Sequence, residues 1–118
     1  MSSDVTLPSQ LQEQLLRLQQ LQQTLQVIVS QRQQLELEST EIDRALKELE
    51  KTPEGNPIYK SIGSLLVKSE KKKLIVELTE RKEFTTTRIT VLTKQQQRAE
   101  QRLKELQQVI QEKIRPSS

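Results

Sequence analysis

The side chains best placed by type and spacing to do chemistry are the carboxylates Glu36, Glu38 and Glu41 and the lysine run Lys71-Lys72-Lys73. Three carboxylates so close in sequence invite comparison with a divalent-cation site. On a helix the three do not converge on one face, so they read as a solvated acidic patch. The lysine run could meet nucleic acid or an acidic partner. A single run with no interleaved aromatic is weak recognition chemistry, and it reads better as a solvated first turn of a helix. The chain has no His and no Cys. It therefore lacks the commonest general base, the commonest transition-metal ligand, any thiolate and any disulfide. The scattered carboxylates have no partner that would tune a nucleophile. Gly55 and Gly63 are the only glycines, so there is no phosphate-cradling loop. No catalytic residue, metal or cofactor is expected, and the chain does not read as an enzyme.

What remains is apolar patterning, and the composition says which kind. The 118 residues suffice for one ordinary domain, and 1–118 is expected to form one. Only 32% are hydrophobic and 30% are charged, a mix that suits a coiled coil with a narrow buried seam. Glutamine is abundant, as in Gln19-Gln20, Gln22-Gln23 and Gln95-Gln96-Gln97. Leucines recur through these stretches at helical spacing and glutamine favours helix, so they read as solvated helix faces. Residues 1–56 carry five basic and nine acidic side chains, hence −4; residues 57–118 carry fourteen and seven, hence +7. Folded back on each other, the two halves attract, which bears on orientation and partner choice more than on stability. No apolar run reaches the roughly 18 residues of a membrane span. The start, Met-Ser-Ser-Asp-Val, lacks a secretory signal's basic and apolar regions, so a cytoplasmic protein is expected.

Two helices are expected, over 9–51 and 70–115. Alternating four- and three-residue steps run through the first as Leu11, Gln14, Leu18, Leu21, Leu25, Ile28, Arg32, Leu35, Ser39, Ile42, Leu46 and Leu49; nine of these twelve are apolar. The second gives Ile75, Leu78, Lys82, Thr85, Ile89, Leu92, Gln96, Ala99, Leu103, Leu106, Ile110 and Lys113, with eight of twelve apolar. Ser9 with Gln12 matches a capping box just inside Pro8, and Ser69 is the expected cap of the second helix with Glu70 in its first turn. Pro53, Gly55 and Pro57 stop the first helix, and Arg115-Pro116 closes the second. The short connection makes the pair antiparallel, with Leu49 beside Ile75 and Ser39 near Thr85. A polar layer at Ser39/Thr85 either pins the register or is a tolerated weak point, and the second reading is preferred.

The stretch between the helices is unlike a polar turn. Ile58–Ile62 and Ser64–Lys68 read as two strands around Gly63, which supplies the positive φ of a tight hairpin over 57–68. Leu65-Leu66-Val67 is an apolar run of the kind found in strands covered on both faces. A lone hairpin is marginal in water and its exposed edges invite pairing. The insert is therefore expected to pair with strands of other chains, and closure into a barrel would remove every edge.

Long helix, Ile58-Tyr59-Lys60-Ser61-Ile62-Gly63 with Leu65-Leu66-Val67-Lys68, then long helix resembles the β-type subunit of prefoldin across essentially the whole chain. The regions around Leu18–Gln22 and Arg32-Gln33 are also like that family, less distinctively. The α-type subunit needs room for two hairpins, and residues 52–69 hold only one. The resemblance implies a mostly α fold: an antiparallel two-helix coiled coil joined by a single β-hairpin that pairs with other chains into a β-barrel platform. It also implies a heterohexamer of two α-type and four β-type subunits, assembling through Ile58, Tyr59, Ile62, Gly63, Leu65, Leu66 and Val67. Such an assembly is a cytosolic holdase that works without nucleotide and passes unfolded clients to a group II chaperonin. The lack of Cys and the generic seam suit an archaeal-like member.

The candidate client-binding surface is terminal: Leu7, Leu11 and Leu15 near the start of the first helix, and Val109, Ile110 and Ile114 near the end of the second. Leu15, Leu16, Val109 and Ile114 fall off the seam, so the partner helix need not cover them. Exposed apolar groups hold unfolded segments without regard to sequence. The plainer alternative is frayed seam or contacts to a third helix. Phe84 is also off the seam and reads as a structural contact. Two other functions compete. A scaffolding coiled coil explains the heptads and leaves the hairpin unexplained. A nucleic-acid binder would use the basic second helix, but its charges are mixed rather than blocked. No nucleic acid and no membrane are expected as partners.

Overall fold

The computed structural model describes residues 8–114, and it consists of two long helices with one β-hairpin between them. Helix α1 spans Ser9–Lys51, strand β1 Ile58–Ile62, strand β2 Leu65–Ser69 and helix α2 Lys71–Ile114.

Helix α1 begins at Ser9 as expected, but its cap lies one residue earlier than expected, and α2 begins at Lys71 rather than at residue 70. The Gln12 amide donates to the Pro8 carbonyl at 3.0 Å. Pro8 is thus the capping residue and Ser9 already helical, so the expected Ser9/Gln12 capping box is displaced. Proline is at ease there, because the amide it lacks would have had no helical partner. At the second start, Ser69 is engaged in the ladder opposite Ile58 and cannot cap α2. The Glu70 carbonyl instead accepts from the Leu74 amide at 2.9 Å, and the first turn of α2 contains no acidic residue.

The end of α1 follows from Pro53. The Thr52 amide is shared between the carbonyls of Glu48 and Leu49, and the Thr52 hydroxyl donates to Glu48 O at 2.8 Å. Gly55, at φ +89°, then turns the chain toward β1. The hairpin is antiparallel, with Ile58 opposite Ser69, Lys60 opposite Val67 and Ile62 opposite Leu65. Its two-residue turn is Gly63-Ser64. Gly63 has φ +58° and Ser64 does not have positive φ, which is the pattern of a type II′ turn. The second strand starts at Leu65 rather than the expected Ser64, because Ser64 is consumed by that turn.

The described chain forms two compact units. One contains residues 32–91, and the other residues 8–31 with 92–114. Within the first, Ile42, Leu49 and Thr85 are buried. Arg81 bonds Glu38 at 2.8 Å, Lys82 pairs with Asp43, and the Lys71 ammonium donates to Thr52 O at 2.8 Å. The start of α2 at Lys71 meets Thr52 just past the end of α1, while Arg81 and Lys82 further along α2 meet Glu38 and Asp43 further back on α1, which defines an antiparallel pair. Thr85 is 2% exposed, and its hydroxyl donates to Arg81 O of its own helix at 2.8 Å. That bond satisfies the hydroxyl without reaching across to α1, so this layer is a tolerated polar site and not a register pin.

Within the second unit, Leu11, Leu92, Ala99 and Ile110 are buried. Every seam position of α1 predicted from the heptads is buried or half-buried, and in α2 only Lys113 is exposed. Gln14 is the weak point of this seam: its Oε1 is buried with no hydrogen-bond partner.

Candidate assembly hairpin and helix-end surface

Exposed apolar groups outside the seam include Val27, Leu37, Val76, Phe84 and Val91 along the helices, and those of the two candidate surfaces, the hairpin and the helix ends. In the hairpin the register sorts side chains by face, since directly paired residues share one. Ile58, Lys60, Ile62, Leu65, Val67 and Ser69 lie on one face; Tyr59, Ser61, Leu66 and Lys68 lie on the other. Ile62 and Leu66 are therefore on opposite faces, and each face carries large apolar groups. Leu65 is 66% and Leu66 73% exposed, and Tyr59, Ile62 and Val67 are exposed as well. Only Ile58 and Ser69, at the base, are half-buried. The sheet has two strands, so the outer edge of each lacks a ladder partner within the chain. This is a sheet with both faces apolar and both edges open, the arrangement that invites strand addition.

One side-chain bond ties the hairpin to a helix among the described residues: Lys60 Nζ to Glu77 Oε2 of α2 at 2.9 Å. The hydrogen bond and charge of Lys60, with a smaller contribution from Lys73, hold the Glu77 carboxyl below the usual glutamate range. Sequence reasoning missed this pair. Seventeen residues separate the partners, and only the strand register places Lys60 toward the helix.

The helix-end surface lies in the other unit. Leu11 and Ile110 are 5% and 6% exposed, so α1 and α2 themselves cover them. Leu15 and Val109 are partly exposed, while Leu16 and Ile114 are more open. Leu7 lies outside the described residues. Val109 and Leu106 face Leu21 across a shallow groove of about 410 Å³, rimmed by Arg17, Arg102 and Glu105. The heptads alone could not show this groove. Its floor is made of seam residues that remain half-buried.

The polar candidates do not come together. Glu36 bonds Arg32 of its own helix at 2.8 Å, whereas Glu38 bonds Arg81 of α2. Among the described residues no three His, Cys, Asp or Glu side chains are grouped so as to hold a metal ion. No described helix is long and apolar enough to cross a membrane.

The sequence pattern of the family described as "Prefoldin subunit" matches residues 12–117. This chain belongs to the prefoldin subunit family. The prefoldin subunit beta of Thermococcus onnurineus is 42% identical over 112 residues, covering 95% of this chain and 97% of that protein. The prefoldin subunit beta of Thermoplasma volcanium is 47% identical over 106 residues, covering 89% and 86%. The crystal structure of the prefoldin beta subunit from Thermococcus strain KS-1 superposes with a TM-score of 0.83 at 39% identity, covering 95% of this chain and 98% of that one. The prefoldin beta2 subunit of the same strain gives 0.69 at 27% identity, covering 76% and 96%. The chain is thus a prefoldin beta-type chaperone subunit in family and fold, with a single hairpin between its helices.

Proposed function

We propose that the chain is the β-type subunit of a cytoplasmic heterohexamer, two α-type and four β-type chains, whose hairpins close into β-barrels. The assembly holds unfolded proteins without nucleotide and releases them to a group II chaperonin. The observation that carries this reading is the hairpin. It exposes large apolar side chains on both faces and offers two open edges, so strands of other chains that cover it would stabilise it. Clients bind at the helix ends carrying the termini, through Leu15, Leu16, Val109 and Ile114, with Leu7, Leu11 and Ile110 contributing when that end splays. The hydrophobic effect is nondirectional, so such a surface serves many sequences.

The test mixes the purified chain with an α-type prefoldin subunit. It measures the mass of the product and its suppression of aggregation of an unfolded protein in the absence of ATP. A hexamer mass with suppression is expected. A hexamer that suppresses nothing would leave a scaffolding coiled coil as the better description. Replacing Leu16, Val109 and Ile114 with Ser should lower suppression while leaving the mass unchanged, since Leu11 and Ile110 still close the seam. Equal suppression by this variant would move client binding to another surface, such as the face bearing Phe84.

A further inference from the structure

The hairpin must do more than exist in order to pair; its strands must be presented at one angle, and apolar packing does not set that angle. Beyond the half-buried base at Ile58 and Ser69, its side chains are exposed. Among the described residues, the bond from Lys60 to Glu77 is the one side-chain tie between hairpin and helix. We propose that the Lys60–Glu77 ion pair is a positioning device that fixes the hairpin against α2 and so presents its strands for assembly. This inference rests on the assembly role of the hairpin proposed above.

Three features give the pair that role. Lys60 is the central residue of β1, so its tether acts midway between the anchored base and the turn at Gly63-Ser64. Its pairing partner Val67 lies on the same face, so fixing Lys60 also fixes the aspect of the β2 residues beside it. Glu77 has a competing cation one turn back on its own helix, Lys73, which contributes less than Lys60 to holding the carboxylate charged. A Lys placed four residues before a Glu is the poorer order for a helical pair, which favours Lys60. Arg81, one turn further along, is committed to Glu38. Glu77 therefore favours Lys60, and a chain that lacks Lys60 leaves this carboxylate to Lys73 and the hairpin untethered. Both partners are about half exposed, so salt weakens the tether.

The chain has no native cysteine, so two can be introduced cleanly. Spin labels at Ser64→Cys in the hairpin turn and Thr86→Cys on the exposed side of α2 report the hairpin's position by pulsed electron resonance. The labelled full chain is diluted into unlabelled chain so that only distances within one molecule are read. The parent is expected to give one narrow distance distribution, Lys60→Ala and Glu77→Ala a broad one, and the charge swap Lys60→Glu with Glu77→Lys a narrow one again. Far-UV circular dichroism should be unchanged throughout. A broad distribution in the parent, equal widths in the parent and Lys60→Ala, or a charge swap that stays broad would each overturn the proposal. Assembly of the unlabelled parent with an α-type subunit is measured separately. If the parent does not assemble, the earlier reading fails, while the distance comparison still decides the tether.

Discussion

The seam and the hairpin use the same kinds of side chain to opposite ends. Ile42 and Leu49 in the seam are 5% and 7% exposed, because α2 of the same chain lies against them. Ile62 and Leu66 in the hairpin remain more than half exposed, because no described element covers these two side chains. The difference is one of supply. A helix needs one narrow stripe covered, and a second helix in the same chain covers it. A two-stranded sheet has two faces and two edges, and one chain with a single hairpin cannot cover them. The seam is closed within the chain, and the hairpin is left with apolar groups that the chain itself does not cover.

The comparison is broken most directly by placing charge on the hairpin. Ile62→Lys with Leu66→Lys puts one ammonium on each face of the sheet. In the separate chain these positions are open to water, so helicity should be unchanged by circular dichroism. In an assembly they would be buried without partners, at a cost of several kcal/mol per charge. Size-exclusion chromatography with light scattering should find the hexamer lost, and an intact hexamer would sink the pairing role of the hairpin.

The next largest effect is expected in the seam. Ile42→Ala removes buried methylene and methyl groups and should cost about 2–4 kcal/mol in urea denaturation of the separate chain. Leu65→Ala, an equally apolar deletion at an exposed site, should shift the same curve by no more than about 0.5 kcal/mol. Equal shifts for the two would mean that the hairpin is already covered in the separate chain, and the contrast would collapse.

A smaller change sharpens the picture of the seam. Gln14 buries an amide oxygen with no partner at a position where a heptad wants an apolar group. Gln14→Leu should stabilise the chain by about 1 kcal/mol, read as a rise in thermal midpoint. A fall would mean that the amide has a role the seam alone does not explain.

The smallest effect is the pH response of the hairpin tether. Lys60 holds the Glu77 carboxyl below the usual glutamate range. A group whose folded pKa is depressed contributes its stabilisation above its ordinary pKa, and that contribution fades as pH falls through the folded value. The narrow hairpin distance should therefore survive at neutral pH and broaden on acidification, at a pH below the ordinary glutamate range. The Glu77→Gln variant should be broad at every pH, and a variant that titrates like the parent would assign the response to another group.

Much of the architecture was legible because it is periodic or because it turns on residues with few conformational options. The three-four spacing from Leu11 to Leu49 put each seam position of α1 where it is buried or half-buried, and the same spacing held from Ile75 to Ile110. Pro53 stopped α1, and Gly63 took the positive φ that a two-residue turn demands. The caps were less legible. Ser9 and Ser69 have the right chemistry for capping, yet Pro8 and Glu70 hold those places. Cap choice depends on where the preceding segment ends, and Ser69 was already claimed by the ladder. Among the helix-end candidates, the heptads already put Leu11 and Ile110 on the seam and Leu16 and Ile114 off it, and the structure buries the first two and leaves the others open.

By itself, then, the sequence determined what is local and repeated: two amphipathic helices, the stop between them and the hairpin turn. Those follow from backbone sterics and from side-chain period, which act within a few residues. The tertiary structure alone decided which hairpin residues share a face, that Lys60 meets Glu77, and that Thr85 satisfies its hydroxyl on its own helix. Each of these depends on strand register, helix packing or rotamer choice. They are set when distant segments meet, and no periodicity along the chain encodes them.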